Sequence, residues 1–110
     1  MDADVHRQLL CGHVDMLVLH VLAEQPRHGY AIRKAIWNRS GGVLALSFGR
    51  LYPVLHKLER KKLIVGRDVK RGEVRVVRQY RLTRAGRAEL NARRTAWKQI
   101  SSAIAAAMRA

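Results

Sequence analysis

Residues 47–65 read SFGRLYPVLHKLERKKLIV, and this stretch decides the fold. Leu51, Leu55 and Leu58 recur at the spacing of one helical face, which predicts an amphipathic helix packed on a core. Lys62 continues the stripe, and we expect its aliphatic stem to cover the end of it. The chain then enters a short β-type run, LIV. Donors and positive charge lie on the other faces, contributed by Arg50, Tyr52, His56, Lys57, Arg60 and Lys61.

A basic helix that leads into a hairpin indicates a DNA-recognition helix followed by a wing. The alternative on this segment alone is an amphipathic surface helix with solvated lysines. Pro53 constrains where the helix begins, because proline is tolerated in the first turn, where backbone N–H groups have no partner within the helix. We therefore expect the helix to start near 48–50.

The composition favours a polyanionic partner. The chain has 110 residues, and its 22 Lys and Arg against 8 Asp and Glu give a net charge of +14. This length supports one domain, and basic side chains gain free energy by releasing counterions from nucleic acid. A membrane surface is the rival polyanion, but no apolar run reaches the roughly 18 residues of a spanning helix. The acidic, polar start, MDADVHRQ, is unlike a signal sequence.

Catalysis is not expected from this sequence. The eight carboxylates form no convincing pair, and we find no Ser-His-Asp spacing and no Gly-rich phosphate loop. The single cysteine, Cys11, excludes an intrachain disulfide, fits a reducing cytoplasm and is expected to be a small buried residue. His6, His13 and His20 recur every seven residues, about 10.5 Å along a helix, so no two of them can share one metal ion. No metal or cofactor is expected.

Two further helices precede the basic one. The apolar pattern of residues 5–24 predicts one long helix, weakened at Gly12, whose two apolar sides suggest that one side meets a partner subunit. A second helix is expected to open at RHGY (27–30) and to run to about residue 39, where Ser40-Gly41-Gly42 ends it. The connector 43–46 is apolar and could form a brief strand. This order matches a helix-turn-helix in which the third helix reads DNA.

The hairpin and the last helix complete the pattern. Residues 70–73 are turn-like, and Val74 is expected on the second strand. The alternative is that the arginines of the hairpin serve only solubility. Basic residues outnumber the two acids of the hairpin, Asp68 and Glu73, which favours a wing. Thr83 is a good N-cap for a helix that continues to the C-terminus with a near-heptad apolar stripe. We expect an α+β, mainly helical fold in which residues 1–82 form a winged helix-turn-helix and residues 83–110 a dimerisation helix.

A series of spaced motifs runs along the chain: GHVDMLVL (12–19), LAE (22–24), HGY (28–30), SGG (40–42), LYP (51–53), LHKLE (55–59), LI (63–64) and YRLTRAG (80–86). Taken together and in this order, they resemble the PadR family of transcriptional regulators over roughly residues 11–100. The resemblance implies a winged helix-turn-helix that dimerises through its C-terminal helix, as in the shorter subclass. It also implies binding to palindromic operator DNA, usually as a repressor released by a small molecule. Where the family commonly has Ser-Pro-Gly and a small hydroxyl residue, this chain has Ser47-Phe48-Gly49 and Arg50.

Candidate contacts follow from this arrangement. Arg50, Tyr52, His56 and Lys57 are expected at base edges or adjacent phosphates, and Arg50 could read guanine through two hydrogen bonds. The DNA backbone is expected to contact His28, Tyr30, Arg33 and Lys34 on the second helix, and Lys70, Arg71 and Arg75 on the wing.

Trp97 is the candidate for an effector site. In some relatives the dimer interface forms a pocket for flat aromatic ligands, and Trp97 could stack such a ligand there. The alternative is a core tryptophan in a well-packed dimer. Val14, Ile100 and Ile104 are the other candidates for this interface. Two rival functions stay open, namely an architectural protein that coats DNA without sequence preference, and a winged-helix module that binds a protein or RNA.

Overall fold

Five helices and three short strands make up residues 3–109, the part of the chain that the structure, a computed structural model, describes. Met1, Asp2 and Ala110, at the ends of the predicted terminal segments, lie outside it. The architecture is α+β and mainly helical, as predicted. The elements are α1 (Ala3–Leu10), α2 (Val14–Glu24), β1 (Arg27–His28), α3 (Gly29–Arg39), α4 (Phe48–Arg60), β2 (Ile64–Arg71), β3 (Arg75–Leu82) and α5 (Arg84–Ala107).

The core forms where α2 and α3 pack against the apolar side of α4. Leu51, Leu55 and Leu58 are each 0% exposed, so the stripe predicted from residues 47–65 is confirmed. Leu19 of α2 and Ile32 of α3 are buried equally well in the same cluster. Burying a leucine side chain contributes about 1.5–3 kcal/mol, so these contacts fix the orientation of α4 on the body.

The exit of α4 differs from the prediction at Lys62. The helix ends at Arg60, and Lys62 adopts a left-handed conformation with φ of 60° and is exposed. The backbone N–H of Leu63 donates to the carbonyl of Leu58 at 3.0 Å, and that of Lys62 donates to Glu59 at 2.9 Å. This pair of bonds is a Schellman motif, which closes the helix and turns Lys62 away from the apolar stripe. The expectation that Lys62 covers the stripe is therefore wrong.

The N-terminal segment is two helices, which corrects the single helix predicted for residues 5–24. Gly12 has φ of 90°, a conformation that glycine adopts readily and other residues do not, so the helix breaks there. Cys11 lies at this break and is exposed, so the expectation that it is buried was also wrong. The connector 43–46 forms no strand, although Leu46 is buried in the core.

A three-stranded antiparallel sheet has the order β1-β3-β2. The register pairs Ile64 with Leu82 at the base of the hairpin and Arg71 with Arg75 at its tip. The loop is therefore 72–74, later than the predicted turn at 70–73, and Lys70 lies within β2. Val74 lies in this loop and is 95% exposed, so it does not belong to the strand face as predicted.

The start of α5 is anchored to the exit of α4. The Thr83 hydroxyl accepts a hydrogen bond from the Gly86 backbone N–H at 3.0 Å, which confirms the predicted N-cap. The same hydroxyl lies 2.8 Å from the Lys62 carbonyl oxygen and 2.9 Å from that of Leu63. A Cβ on Gly86 would lie 2.0 Å from the Leu63 carbonyl oxygen, so only glycine allows this approach. The helix then packs on α2, where Leu90 is buried.

Candidate nucleic-acid interface

The first three turns of α4 carry the side chains predicted to read DNA. Since Leu51 and Leu55 are buried, the opposite side of the helix lies at the surface. Tyr52 and His56 are exposed there, and Arg50 is half-buried. Pro53 is the sixth residue of the helix, just past the first turn. Lys57 is half-buried as well, with 40% of its side chain exposed, so all four predicted reading side chains reach the surface to some extent.

His28 joins the sheet to α3 and caps that helix. Its Nδ1 atom accepts a hydrogen bond from the backbone N–H of Ala31 at 3.3 Å. Burial lowers the pKa of the His28 imidazole below its ordinary value, and the positive charges of Arg71 and Arg75 lower it further. A neutral imidazole that accepts at Nδ1 carries its proton on Nε2, so His28 offers one donor beyond its own helix.

Arg33 is held by two contacts next to the start of α4. Its Nε donates to the carbonyl oxygen of Leu46 at 2.5 Å, and its guanidinium lies 4.1 Å from the centre of the Phe48 ring. The Phe48 ring in turn stacks on Tyr52, with centroids 5.5 Å apart. Arg33 therefore fixes the aromatic pair at the helix N-terminus while keeping its charge near the surface.

A groove of about 680 Å³ separates the wing from the N-termini of α3 and α4. It brings together predicted contacts from all three elements: His28, Tyr30, Tyr52, Arg71 and Arg75. The two arginines are exposed at the tip of the hairpin, and neither forms an ion pair within residues 3–109. Open cations beside exposed aromatic side chains suit a phosphate backbone and its neighbouring bases.

The other predicted contacts surround this groove without lining it. Lys34 lies with Tyr30 and Arg33 beside a shallower depression. Arg50 lines a separate hollow between α1 and the 43–47 connector. His56 and Lys70 are exposed.

Lys57, unlike the other predicted reading residues, forms an ion pair with a buried carboxylate within residues 3–109. Its Nζ lies 2.7 Å from the Oδ2 of Asp15, a buried carboxylate on α2. Sequence reasoning missed Asp15, although the signal was present, since it is a lone acid in the apolar run VDMLVL. A charge in such a run requires a partner when the helix packs.

Arg78 on β3 fixes the wing relative to the recognition helix, and sequence reasoning missed this role too. Its guanidinium lies 2.9 Å from a Glu59 carboxylate oxygen and 3.4 Å from Asp68. The hydrogen bond to Glu59 is the main cause that raises the pKa of Arg78 above its ordinary value. The guanidinium also crosses the backbone at Gly66, where an added Cβ would lie 2.7 Å from Nε. These contacts restrict the angle between hairpin and helix.

The distal half of α5 carries an exposed apolar stripe. Trp97 is 46% exposed, and Ile100 and Ile104 are exposed further along the same side. Val14, the fourth predicted interface residue, is buried in the core of its own protomer. Trp97 lines an open apolar cavity of about 350 Å³ whose other walls come from α1, α2 and the connector: His6, Leu9, Leu10, His13, Met16, Leu17, Val43 and Leu44.

Neither a metal centre nor a membrane span is present in the described part of the chain. No group of three or more His, Cys, Asp or Glu side chains could hold an ion within residues 3–109. Among those residues, no helix is long and apolar enough to cross a bilayer.

Helices α2, α3 and α4 form a helix-turn-helix, and its last helix, α4, leads into the β2–β3 hairpin. This arrangement defines the winged-helix class of DNA-binding proteins. The chain belongs to one family in that class: residues 18–92 match the model of the transcriptional regulator PadR-like family. A relative from Lysinibacillus sphaericus, described as uncharacterized protein X, is 31% identical over 102 residues, which is 91% of this chain and 92% of that protein.

Solved structures show the same fold. A transcriptional regulator from Clostridium thermocellum superposes with a TM-score of 0.86 at 22% identity, over 93% of this chain and 99% of that one. Bacillus subtilis PadR, solved in complex with operator DNA, gives a TM-score of 0.65 at 26% identity. That match covers 71% of this chain and 44% of the Bacillus protein.

Proposed function

We propose that this chain is a sequence-specific transcriptional regulator that acts as a homodimer on a palindromic operator, most simply as a repressor. The observation that carries the proposal is the groove between the wing and the N-termini of α3 and α4, where exposed cations and aromatic side chains converge. The solved complex of Bacillus subtilis PadR with operator DNA supports the same kind of partner. A protein of this kind acts in the cytoplasm, on chromosomal DNA.

The two parts of the chain have different roles in this proposal. Residues 1–82 hold the DNA-reading unit, in which Arg50 and Tyr52 reach base edges from the start of α4. His28, Arg33 and Lys34 hold the DNA backbone from α3, and Arg71 and Arg75 place the wing on phosphates or in the minor groove. Residues 83–110 provide the dimerisation helix.

The exposed stripe of α5 supports a second copy of the chain as its partner. Trp97, Ile100 and Ile104 are each about half exposed in the described protomer, at 46%, 58% and 54%. They lie on one side of α5, which runs for 24 residues. Removing such side chains from water contributes roughly 25 cal/mol for each Å² of apolar surface. A two-fold pair would present two copies of α4 to successive major grooves, which a palindrome requires.

The apolar cavity beside Trp97 supports release by a small molecule. A flat aromatic ligand seated there contacts α1, α2 and α5 at once. If it binds one arrangement of α5 better than another, it shifts the spacing of the two α4 helices and thus operator affinity. The test is quenching of Trp97 fluorescence by 8-anilinonaphthalene-1-sulfonate in a Trp37→Phe background. The expected result is quenching of Trp97 fluorescence together with a change in operator affinity, and the affinity change should be lost in a Trp97→Ala variant.

Competition binding across genomic fragments tests the function itself, beginning with the region upstream of the protein's own gene. We expect one fragment to stay bound in excess random duplex at low and at moderate salt. The net charge of +14 favours one rival, an architectural protein that coats DNA. That rival predicts a steep salt dependence and no preferred fragment.

A further inference from the structure

Asp15 is the one buried charged side chain that residues 3–109 contain, at 6% exposure. It lies in the first turn of α2, where the N–H groups at the start of the helix favour a negative charge. No assigned role of the protein uses this carboxylate. A buried charge is costly unless it is paired, so its partners indicate what it does.

Its two partners come from the two functional helices. Lys57 of α4 places Nζ 2.7 Å from Asp15 Oδ2. Arg93 of α5 places a guanidinium nitrogen 3.7 Å from the same oxygen, and its Nε donates to Glu89 at 2.7 Å. One oxygen atom thus connects the DNA-reading helix with the helix that carries the apolar stripe.

We propose that Asp15 is a positioning residue for operator binding, and that it keeps Lys57 away from the DNA. Asp15 holds α4 and α5 to a common point on α2, so a displacement of α5 is transmitted to the angle of α4. Lys57 serves as the anchor of this link and contributes no phosphate contact. The measurements of operator preference rest on the proposed function, whereas the salt dependence on random DNA does not.

The salt dependence of binding distinguishes an anchored lysine from a phosphate contact. Each phosphate contact that is lost lowers the slope of log affinity against log salt by about one. We expect Lys57→Met to leave the slope on a random duplex unchanged, and Arg71→Ala, the matched control, to lower it by about one. If Lys57→Met also lowered the slope by about one, the proposal would be overturned.

Asp15→Asn provides the opposite signature. It removes the negative charge while keeping the side-chain shape, which frees Lys57 to reach phosphates. We expect random-duplex affinity to rise several-fold and the operator preference to fall. A variant that was merely less folded would lose affinity for both duplexes, and circular dichroism identifies that case. Equal losses of affinity for both duplexes in folded protein would contradict the proposal.

Arg93→Met tests the connection to α5 even if Asp15→Asn fails to fold. We expect Arg93→Met and Lys57→Met each to lower operator preference. Because both act through Asp15, the double variant should lose much less operator preference than the product of the two single effects. Independent effects that multiply, or no effect of Arg93→Met, would overturn the link. A wild-type protein without any operator preference would instead refute the proposed function, while the slope of Lys57→Met on random DNA would still decide whether Lys57 is anchored.

Discussion

Arg50 and Arg71 carry the same charge but occupy different positions relative to the groove. Arg50 is half-buried at the start of α4, where a guanidinium can reach two acceptors of one guanine. Arg71 is exposed at the tip of the wing, beside Arg75. Two arginines of equal charge are therefore expected to affect specificity differently.

The first prediction compares these two residues. Arg50→Ala is expected to cost about 1–3 kcal/mol on the operator and to relax sequence preference, because a base contact is lost. Arg71→Ala is expected to weaken operator and random duplex about equally. Binding of both variants to both duplexes checks this. An equal loss for Arg50→Ala on the two duplexes would reduce Arg50 to a phosphate contact.

Lys62 gives a prediction about stability. A left-handed residue costs roughly 1–2 kcal/mol for a side chain with a Cβ, and glycine avoids that cost at the end of a Schellman motif. Lys62→Gly is therefore expected to raise the free energy of unfolding by about 1 kcal/mol, measured by urea denaturation. Lys61→Gly, at the neighbouring right-handed position, is the control and should lower it. A loss with Lys62→Gly would contradict the backbone argument.

Two histidines give a prediction about pH. Burial is the main cause that lowers the pKa of both His20 and His28, and Arg94, 2.5 Å from His20 Nδ1, lowers that of His20 further. The unfolded chain therefore binds protons on these two residues more readily. Stability is expected to fall as the pH drops through about 6.5 and below, and to be retained above it.

The pH dependence is measured by denaturant unfolding between about pH 7.5 and about pH 5.5. The variant His20→Gln with His28→Asn removes both titrations, while asparagine can still cap α3. We expect this variant to lose less stability on acidification than the natural chain does. A loss as large as that of the natural chain would show that other groups cause it.

At the residue level the sequence predicted burial well and partners poorly. Leu51, Leu55 and Leu58 follow from periodicity alone, because one helical face must meet the core. The pairing of Lys57 with Asp15 does not follow, because it depends on how α2 packs against α4. Cys11 was predicted to be buried since it was taken as part of a helix that in fact breaks at Gly12.

Among the elements, α5 is the one that we propose to pair two copies of the chain. Its proximal half packs on α2, and its distal half exposes the apolar stripe. A carboxylate placed in that stripe would be buried without a partner in a dimer, at a cost of several kcal/mol.

Ile104→Glu is accordingly expected to convert a dimer into a monomer at micromolar concentration and to weaken operator binding by at least tenfold. Sedimentation velocity measures the first effect and fluorescence anisotropy the second. Ser102→Glu, on the opposite side of the same helix, is the matched control and should stay dimeric. A dimeric Ile104→Glu variant would place the interface elsewhere.

The ends of the elements were predictable where the sequence has strong helix-start and helix-stop signals. Thr83 and the SGG run at 40–42 mark helix ends through hydrogen bonds within a few residues, so α5 begins and α3 ends where expected. The hairpin loop was placed too early, because glycine at 72 allows several turns and the register is set by pairing along β2 and β3. The break between α1 and α2 was underestimated for a similar reason, since Gly12 permits a left-handed turn without requiring one.

At the scale of the whole molecule, we propose that two identical reading units bind a palindrome whose half-sites have a fixed spacing. Each unit holds α4 rigidly, because its three leucines are buried and Arg78 restrains the wing. Two-fold symmetry then places the half-sites about one helical turn, or a multiple of it, apart. An architectural protein would have no such requirement.

Palindrome recognition is tested by measuring affinity for the preferred site before and after five base pairs are inserted between its half-sites. The insertion rotates one half-site to the opposite side of the duplex, so a symmetric dimer can engage only one half at a time. We predict a loss of at least tenfold, partly recovered when about ten base pairs, one full turn, are inserted instead. Equal affinity for all three duplexes would contradict palindrome recognition by a dimer.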